Sequence, residues 1–321
     1  MRTSLDRFTT VLAASLLLIV ALCQAGTVGG EDASATSETQ VQVVRLWPGK
    51  PPGDQVTGKE HDSTTADGRK QAGRSVIRLK NVSVPQLHIY RPAADNLTDT
   101  AMVICPGGGY HILAWDLEGT EIAEKFVAMG ITCAVLKYRA PTSQFKQPWA
   151  APVADAQRAL STLRGIAAEK TWGIQQCGIL GFSAGGHTAC RAAMQHGDRT
   201  YESIDATDQQ PCKADFAVLV YPWKLIDNEG KLLPSLVADE TSPKMFFAHA
   251  IDDRVTCDNS IAMFRSLRDA GVPADLHVFS SGGHGFGART SSQPSSRWPL
   301  RCLQWMQSDG IVHTLHDAKS E

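Results

Sequence analysis

Beyond residue 100 the chain alternates between two patterns: compact runs of four to eight apolar residues, and longer stretches whose apolar positions recur every three or four. Continuous apolar runs of strand length belong to strands covered on both faces, whereas the 3.6-residue recurrence belongs to amphipathic helices. The pattern predicts strands at 101–105, 131–138, 177–181, 216–221, 245–249 and 276–279. It predicts helices at 118–129, 153–169, 260–270 and 298–307, and one more directly after residue 183. Ahead of these, strands at 41–46, 76–80 and 86–90 read as an antiparallel meander broken by a polar, glycine-bearing loop at 58–73. Repeated strand–helix units bring parallel strands side by side with helices on both faces. The expected class is therefore α/β, with a mostly parallel central sheet.

The N-terminus has a different pattern. Arg2 and Arg7 precede a short apolar core at 11–22, and Cys23-Gln24-Ala25 then offers a small residue before Gly26. This is the layout of a secretory signal peptide, residues 1–25, and it predicts export to a periplasm or the exterior. The run falls short of the roughly 20 apolar residues that span a bilayer, so no stable span is expected in the mature chain. An uncleaved anchor and a lipid anchor at Cys23 are the alternatives, the second weakened by Leu22, where a small residue is needed. Small polar residues at 26–40 predict a flexible linker, 41–310 one folded domain, and 311–321 a polar tail.

Composition narrows the function classes. With 321 residues, 43% of them apolar, the chain can bury one large core. Lys and Arg total 31 against 33 acids, so no strong field attracts nucleic acid or an anionic membrane. No zinc or calcium pattern is present, and neither a metal nor an organic cofactor is expected. Removal of Cys23 with the signal leaves seven of eight cysteines, an odd number. Cys105, Cys133 and Cys177 fall in or beside apolar strands as small hydrophobes, while Cys190, Cys212, Cys257 and Cys302 are candidates for bridges with no spacing that fixes a pair.

The candidate chemistry centres on Gly181-Phe182-Ser183-Ala184-Gly185, a serine between two glycines at a strand-to-helix corner. A nucleophile elbow needs that arrangement, and an acyl-attacking serine is the expectation. The hydroxyl is a weak nucleophile without a base, itself oriented by a third group. Downstream, Ser281-Gly282-Gly283-His284-Gly285 follows the strand at 276–279, and His249-Ala250-Ile251-Asp252-Asp253 follows the strand at 245–249. Both lie past strand C-terminal ends, where α/β sheets collect their active residues. His284 is the candidate base; His187, His249, His277, His313 and His316 lack its combination of loop, glycines and chain order. On position alone, Asp252 and Asp253 are both candidates for the acid. The run Pro106-Gly107-Gly108-Gly109-Tyr110 predicts an oxyanion hole from the N–H groups of Gly108, Gly109 and Ala184. A phosphate-binding loop is disfavoured, because neither G-x-G-x-x-G nor a Walker lysine follows. Tyr110, Trp115 and Trp223 follow strands at the same edge and are candidates for stacking on a sugar ring, against simple aromatic packing.

Together these segments resemble the α/β-hydrolase superfamily, and most closely its acetylxylan-esterase-like branch, bordering the prolyl-oligopeptidase catalytic domain and dienelactone hydrolase. The likeness runs from about residue 40 to 308 and includes Leu46-Trp47-Pro48-Gly49, Leu136-Lys137-Tyr138-Arg139 and Asp155-Ala156-Gln157-Arg158. It implies the α/β-hydrolase fold over 41–310 and a serine esterase acting through an acyl-serine on acetylated polysaccharide. The branch's acidic loop, His-Gly-x-x-Asp-x-x-Val, aligned on His249 assigns the acid to Asp253, although Ala250 and Thr256 depart from it. Two rivals are a prolyl-oligopeptidase-like peptidase and a non-catalytic binding protein on the same fold. Oligomeric state is not legible.

Overall fold

The computed structural model describes residues 41–315, so the expected signal peptide, the linker, Cys23 and residues 316–321 lie outside the described residues. In chain order the strands are β1 (Gln42–Arg45), β2 (His61–Asp62), β3 (Arg78–Lys80), β4 (Gln86–Tyr90), β5 (Thr100–Cys105), β6 (Leu113–Ala114) and β7 (Thr132–Lys137). Then come β8 (Gln176–Phe182), β9 (Phe216–Val220), β10 (Lys244–Ala250) and β11 (Ala274–Phe279). The α-helices are α1 (Glu121–Val127), α2 (Ala150–Glu169), α3 (Ala184–Ala193), α4 (Asp258–Asp269) and α5 (Trp298–Ser308).

Eight strands form one sheet in the order β1-β4-β7-β5-β8-β9-β10-β11. The pairs β1–β4 and β4–β7 are antiparallel, and every pair from β7–β5 onward is parallel. The two-residue side-chain period of a strand explains the layers. Ala101, Val103 and Cys105 of β5 belong to the core on the side of α2, α3 and α4, while Met102 and Ile104 belong to the core on the side of α1 and α5. Neighbouring strands divide the same way, so both faces are covered. From β5 the chain crosses to β7 on one side and returns to β8 on the other. Such a switch point opens a crevice at the strands' C-terminal ends.

One buried network joins three distant segments of the family likeness. Trp47 Nε1 donates to Asp155 at 2.8 Å, and the fully buried Arg139 and Asp155 pair at 2.9 Å. The Arg139 guanidinium also donates to the carbonyls of Pro52, Asp54 and Ala151, so no buried N–H in this arrangement is left to desolvation alone.

Several expectations are corrected. The strand at 76–80 does not join the meander: β3 pairs with β2 and β6 in a separate three-stranded sheet. With Arg78 and Lys80 flanking a single leucine, it has too little apolar surface for the central sheet. The helix expected at 118–129 opens as a π-turn, Asp116–Thr120, with Thr120 N–H donating to Trp115 O, before α1 begins. The tail is not loose from residue 311, because Ile311 is buried and Thr100 Oγ1 donates to its carbonyl at 2.6 Å. All seven described cysteines are free thiols. Cys190 and Cys302 lie in the cores on opposite faces of the sheet, which rules out their pairing.

Candidate active site

The turn from β8 into α3 is made by close backbone approach. A Cβ on Gly181 would stand 2.2 Å from the Gly185 carbonyl oxygen, and one on Gly185 would stand 2.1 Å from that of Cys105. Side chains at these two positions would drive the strands and helix apart, which is why the serine is flanked by glycines. Between them Ser183 adopts φ 52°, ψ −116°, a conformation unusual for a residue with a side chain. The surrounding bonds hold it there: Ser183 N–H donates to Val220 O, and its own carbonyl accepts from His187 and Trp223.

Three separated segments converge on this serine. Ser183 Oγ lies 2.9 Å from His284 Nε2, and His284 Nδ1 lies 2.8 Å from Asp253 Oδ2 and 3.0 Å from Oδ1. Ionised carboxylate oxygens only accept, so Nδ1 carries the imidazole proton and Nε2 presents its lone pair to the hydroxyl. Burial alone would raise Asp253, but hydrogen bonds from His249 and His284 outweigh it and hold the carboxyl down at about 2. Val255 N–H adds a further bond at 2.7 Å. Asp252 has a different position: it accepts from the N–H groups of Gly282 and Gly283 at 3.3 and 2.8 Å and so braces the histidine loop. His249 is fully buried. Its Nε2 donates to Val255 O at 2.8 Å, and Ser260 bonds its Nδ1, which shapes the acidic turn from below.

The glycine loop after β5 lies opposite. The Gly108 carbonyl accepts from His111 and Ile112, while among the described residues the N–H groups of Gly108 and Gly109 donate to no protein acceptor. Ala184 is the first residue of α3, where an N–H has no intrahelical partner. Gly108, Gly109, Ser183, Trp223, Glu118 and His284 line a cavity of about 540 Å³. Among the described residues no cluster of His, Cys, Asp or Glu is arranged to hold a metal ion, and no helix is long and apolar enough to cross a membrane.

Of the three aromatic candidates only Trp223 lines this cavity. Tyr110 is turned into the protein, where its hydroxyl bonds His187 Nδ1 at 3.0 Å and Thr188 Oγ1 at 3.1 Å. Burial lowers His187 to about 3, so this imidazole is neutral and Tyr110 is committed to packing. Trp115 packs edge-on against His88 at 4.9 Å and fills gaps in the core. Both are corrected to structural residues: Tyr110 is buried with its hydroxyl held by His187 and Thr188, and Trp115 packs against the core.

The sequence pattern did not single out Glu118. Its carboxylate is buried beneath the cavity, accepting from Gly107 N–H at 2.8 Å and Tyr221 Oη–H at 2.9 Å. Tyr221 Oη in turn accepts from Gly287 N–H at 3.1 Å. Burial pushes Glu118 up, opposed by the hydrogen bonds from the Tyr221 hydroxyl and Gly107 N–H and by the positive charge of Arg69. One acid thus ties the glycine loop, the end of β9 and the histidine loop together. The pair of acids Asp116 and Glu118, shortly after the glycine loop, was the available signal.

Comparison with known proteins agrees with this architecture. Residues 87–222 match the BD-FAE family, and residues 220–308 match the prolyl oligopeptidase family. The chain is 27% identical over 246 residues to an acetylxylan esterase of Xylanibacter ruminicola, covering 68% of this chain and 47% of that protein. It is 28% identical over 228 residues to endo-1,4-beta-xylanase B of Butyrivibrio fibrisolvens, covering 63% of this chain and 34% of that one. The chain therefore spans half or less of the length of these curated relatives. Among solved structures, an acetyl ester-xyloside bifunctional hydrolase from Caldicellulosiruptor lactoaceticus superposes with a TM-score of 0.64 at 26% identity, over 84% of this chain and 97% of that one.

Proposed function

Because the chain belongs to the α/β-hydrolase superfamily and resembles its acetylxylan-esterase-like branch, we propose that it is a secreted serine esterase that removes acetyl groups from xylan-type carbohydrate. Residues 1–25 serve as its signal peptide, 26–40 as a linker, and 41–310 as the catalytic domain. The observation that carries the reading is the relay of Asp253, His284 and Ser183, with a 2.9 Å link between imidazole and hydroxyl.

The reaction follows from that geometry. Ser183 Oγ attacks the ester carbonyl carbon while its proton passes to His284 Nε2. The carbonyl oxygen takes up negative charge, which the N–H groups of Gly108 or Gly109 and Ala184 stabilise. Each such donor is worth about 10²–10³ in rate. The carbon–oxygen bond to the alcohol then breaks, and the imidazolium returns the proton to the leaving oxygen. Water, deprotonated by the same imidazole, attacks the acyl-serine, and the acyl–Oγ bond breaks as the imidazolium returns that proton to Ser183 Oγ, releasing the acid. Asp253 stays ionised and stabilises the imidazolium at both steps. Trp223 offers an aromatic face for a sugar ring beside the nucleophile.

Acetylated xylan, 4-nitrophenyl acetate and an aminoacyl 4-nitroanilide assayed side by side test the reading. Acetate and nitrophenol release without nitroaniline is expected; amide cleavage without ester cleavage would favour the peptidase. Glu118 enters as a positioning residue. Glu118→Gln keeps its size but turns an NH₂ toward one of two donors, loosening a loop at the reaction centre. Misplacement of about 1 Å costs on the order of 10²-fold, so kcat is expected to fall by about that factor with KM little changed. Unchanged kcat would reduce Glu118 to a packing residue.

A further inference from the structure

The mouth of the cavity carries a charge pattern that an acetylated neutral sugar does not use. Arg69, Arg78 and Arg254 all line it, whereas the only acid in the lining is Glu118, whose oxygens are taken by Gly107 and Tyr221. The excess is local, since the chain as a whole carries a net charge of −2. Of the arginines outside the cleft, Arg139, Arg158, Arg164, Arg199 and Arg289 each pair with an aspartate. Arg254 is exposed beside the triad acid, and among the described residues it makes no hydrogen bond or ion pair. Arg69 donates to the backbone carbonyl of His284, and its terminal nitrogens stand 3.8 and 3.9 Å from where a Cβ on Gly285 would lie. Arg78 holds this segment in place by donating to the carbonyls of Val76 and Arg69 at 3.0 Å.

We infer that this cleft selects esters carrying a carboxylate, bound by the guanidinium groups of Arg69 and Arg254; the inference rests on the esterase reading above. A guanidinium is a planar fork that meets a carboxylate with two parallel hydrogen bonds. Among the described residues Arg254 has no protein counter-ion, and Arg69 makes no ion pair and has only the buried Glu118 near it. Two such groups set around a concave site concentrate anions there. The carboxylate can belong to the alcohol part, as in a hexuronate, or to the acyl part, as in a dicarboxylic half-ester.

Two matched substrate pairs separate these sources. On the alcohol side, an acetylated methyl glucuronoside is compared with the acetylated methyl xyloside, which lacks only the carboxylate. On the acyl side, 4-nitrophenyl hemisuccinate is compared with 4-nitrophenyl butyrate. The anionic member of at least one pair is expected to show kcat/KM about 10- to 100-fold higher, the range that a charged hydrogen-bonded contact supports. In Arg254→Gln and in Arg69→Gln that ratio is expected to fall toward one. Ratios at or below one in both pairs, with the neutral esters still hydrolysed, would overturn the inference and leave the esterase reading standing. A preference that survives in both variants would overturn the assignment to these arginines. Failure to hydrolyse any ester would remove the esterase reading, and the inference with it.

Discussion

Replacing Ser183 with alanine is expected to abolish ester turnover while leaving the protein folded. The hydroxyl is the only atom lost, and the backbone at this corner is held by Val220, His187 and Trp223 rather than by the side chain. Removing the nucleophile of such a relay lowers kcat by about 10⁶ in the best-studied example of the mechanism. A loss of at least about 10⁴ is expected here with 4-nitrophenyl acetate, the residue being what the oxyanion donors retain without covalent catalysis. Thermal unfolding of the variant checks that the fold survives. Activity within tenfold of the parent would mean that another group attacks the ester.

The second large effect separates two adjacent acids. Asp253→Asn is expected to lower kcat by about 10⁴, because the amide cannot satisfy Val255 N–H and still accept the Nδ1 proton of His284 on both oxygens. An amide NH₂ facing Nδ1 favours the other tautomer, in which Nε2–H points at Ser183 and no lone pair remains to take its proton. Asp252→Asn is the matched control. Its carbonyl oxygen can still accept from Gly282 and Gly283, so a loss of less than about tenfold is expected from weakening one hydrogen-bonded brace. Comparable losses in both variants would mean that the acid is shared or that the loop simply fails to form.

These two residues show how far the sequence could be read. The elbow was legible because close packing demands glycine at both 181 and 185, a local requirement that leaves a local mark. His284 was legible because it alone follows a strand in a glycine-rich loop after the serine. Asp252 and Asp253 were not separable by position, since adjacent residues in a turn point different ways and only the folded loop decides which faces the imidazole. The family likeness pointed to Asp253, the residue that bonds His284.

Other features depended on contacts between distant segments. Glu118 acquires its place from Gly107, Tyr221 and, through Tyr221, Gly287, partners spread over 180 residues of chain. The π-turn that carries it, with an extra residue per turn, left no mark distinct from an ordinary helix start. For Tyr110 and Trp115 the sequence left stacking and packing both open, because an aromatic after a strand serves a cleft or the core equally well until its neighbours are known. The strand at Arg78–Lys80 was found, but its sheet was not, because partner choice lies in β2 and β6, two-residue strands too short to leave a pattern.

The most direct test of the account is covalent labelling of the intact protein with a 4-nitrophenyl alkylphosphonate, followed by mass spectrometry of the whole chain and its peptides. One phosphonyl group per chain, located on Ser183 and formed with release of one nitrophenol, is the expected result, with His284→Ala labelling far more slowly. Absence of labelling, or an adduct on a different residue while Ser183 stays unmodified, would contradict the claim that this serine is the activated nucleophile.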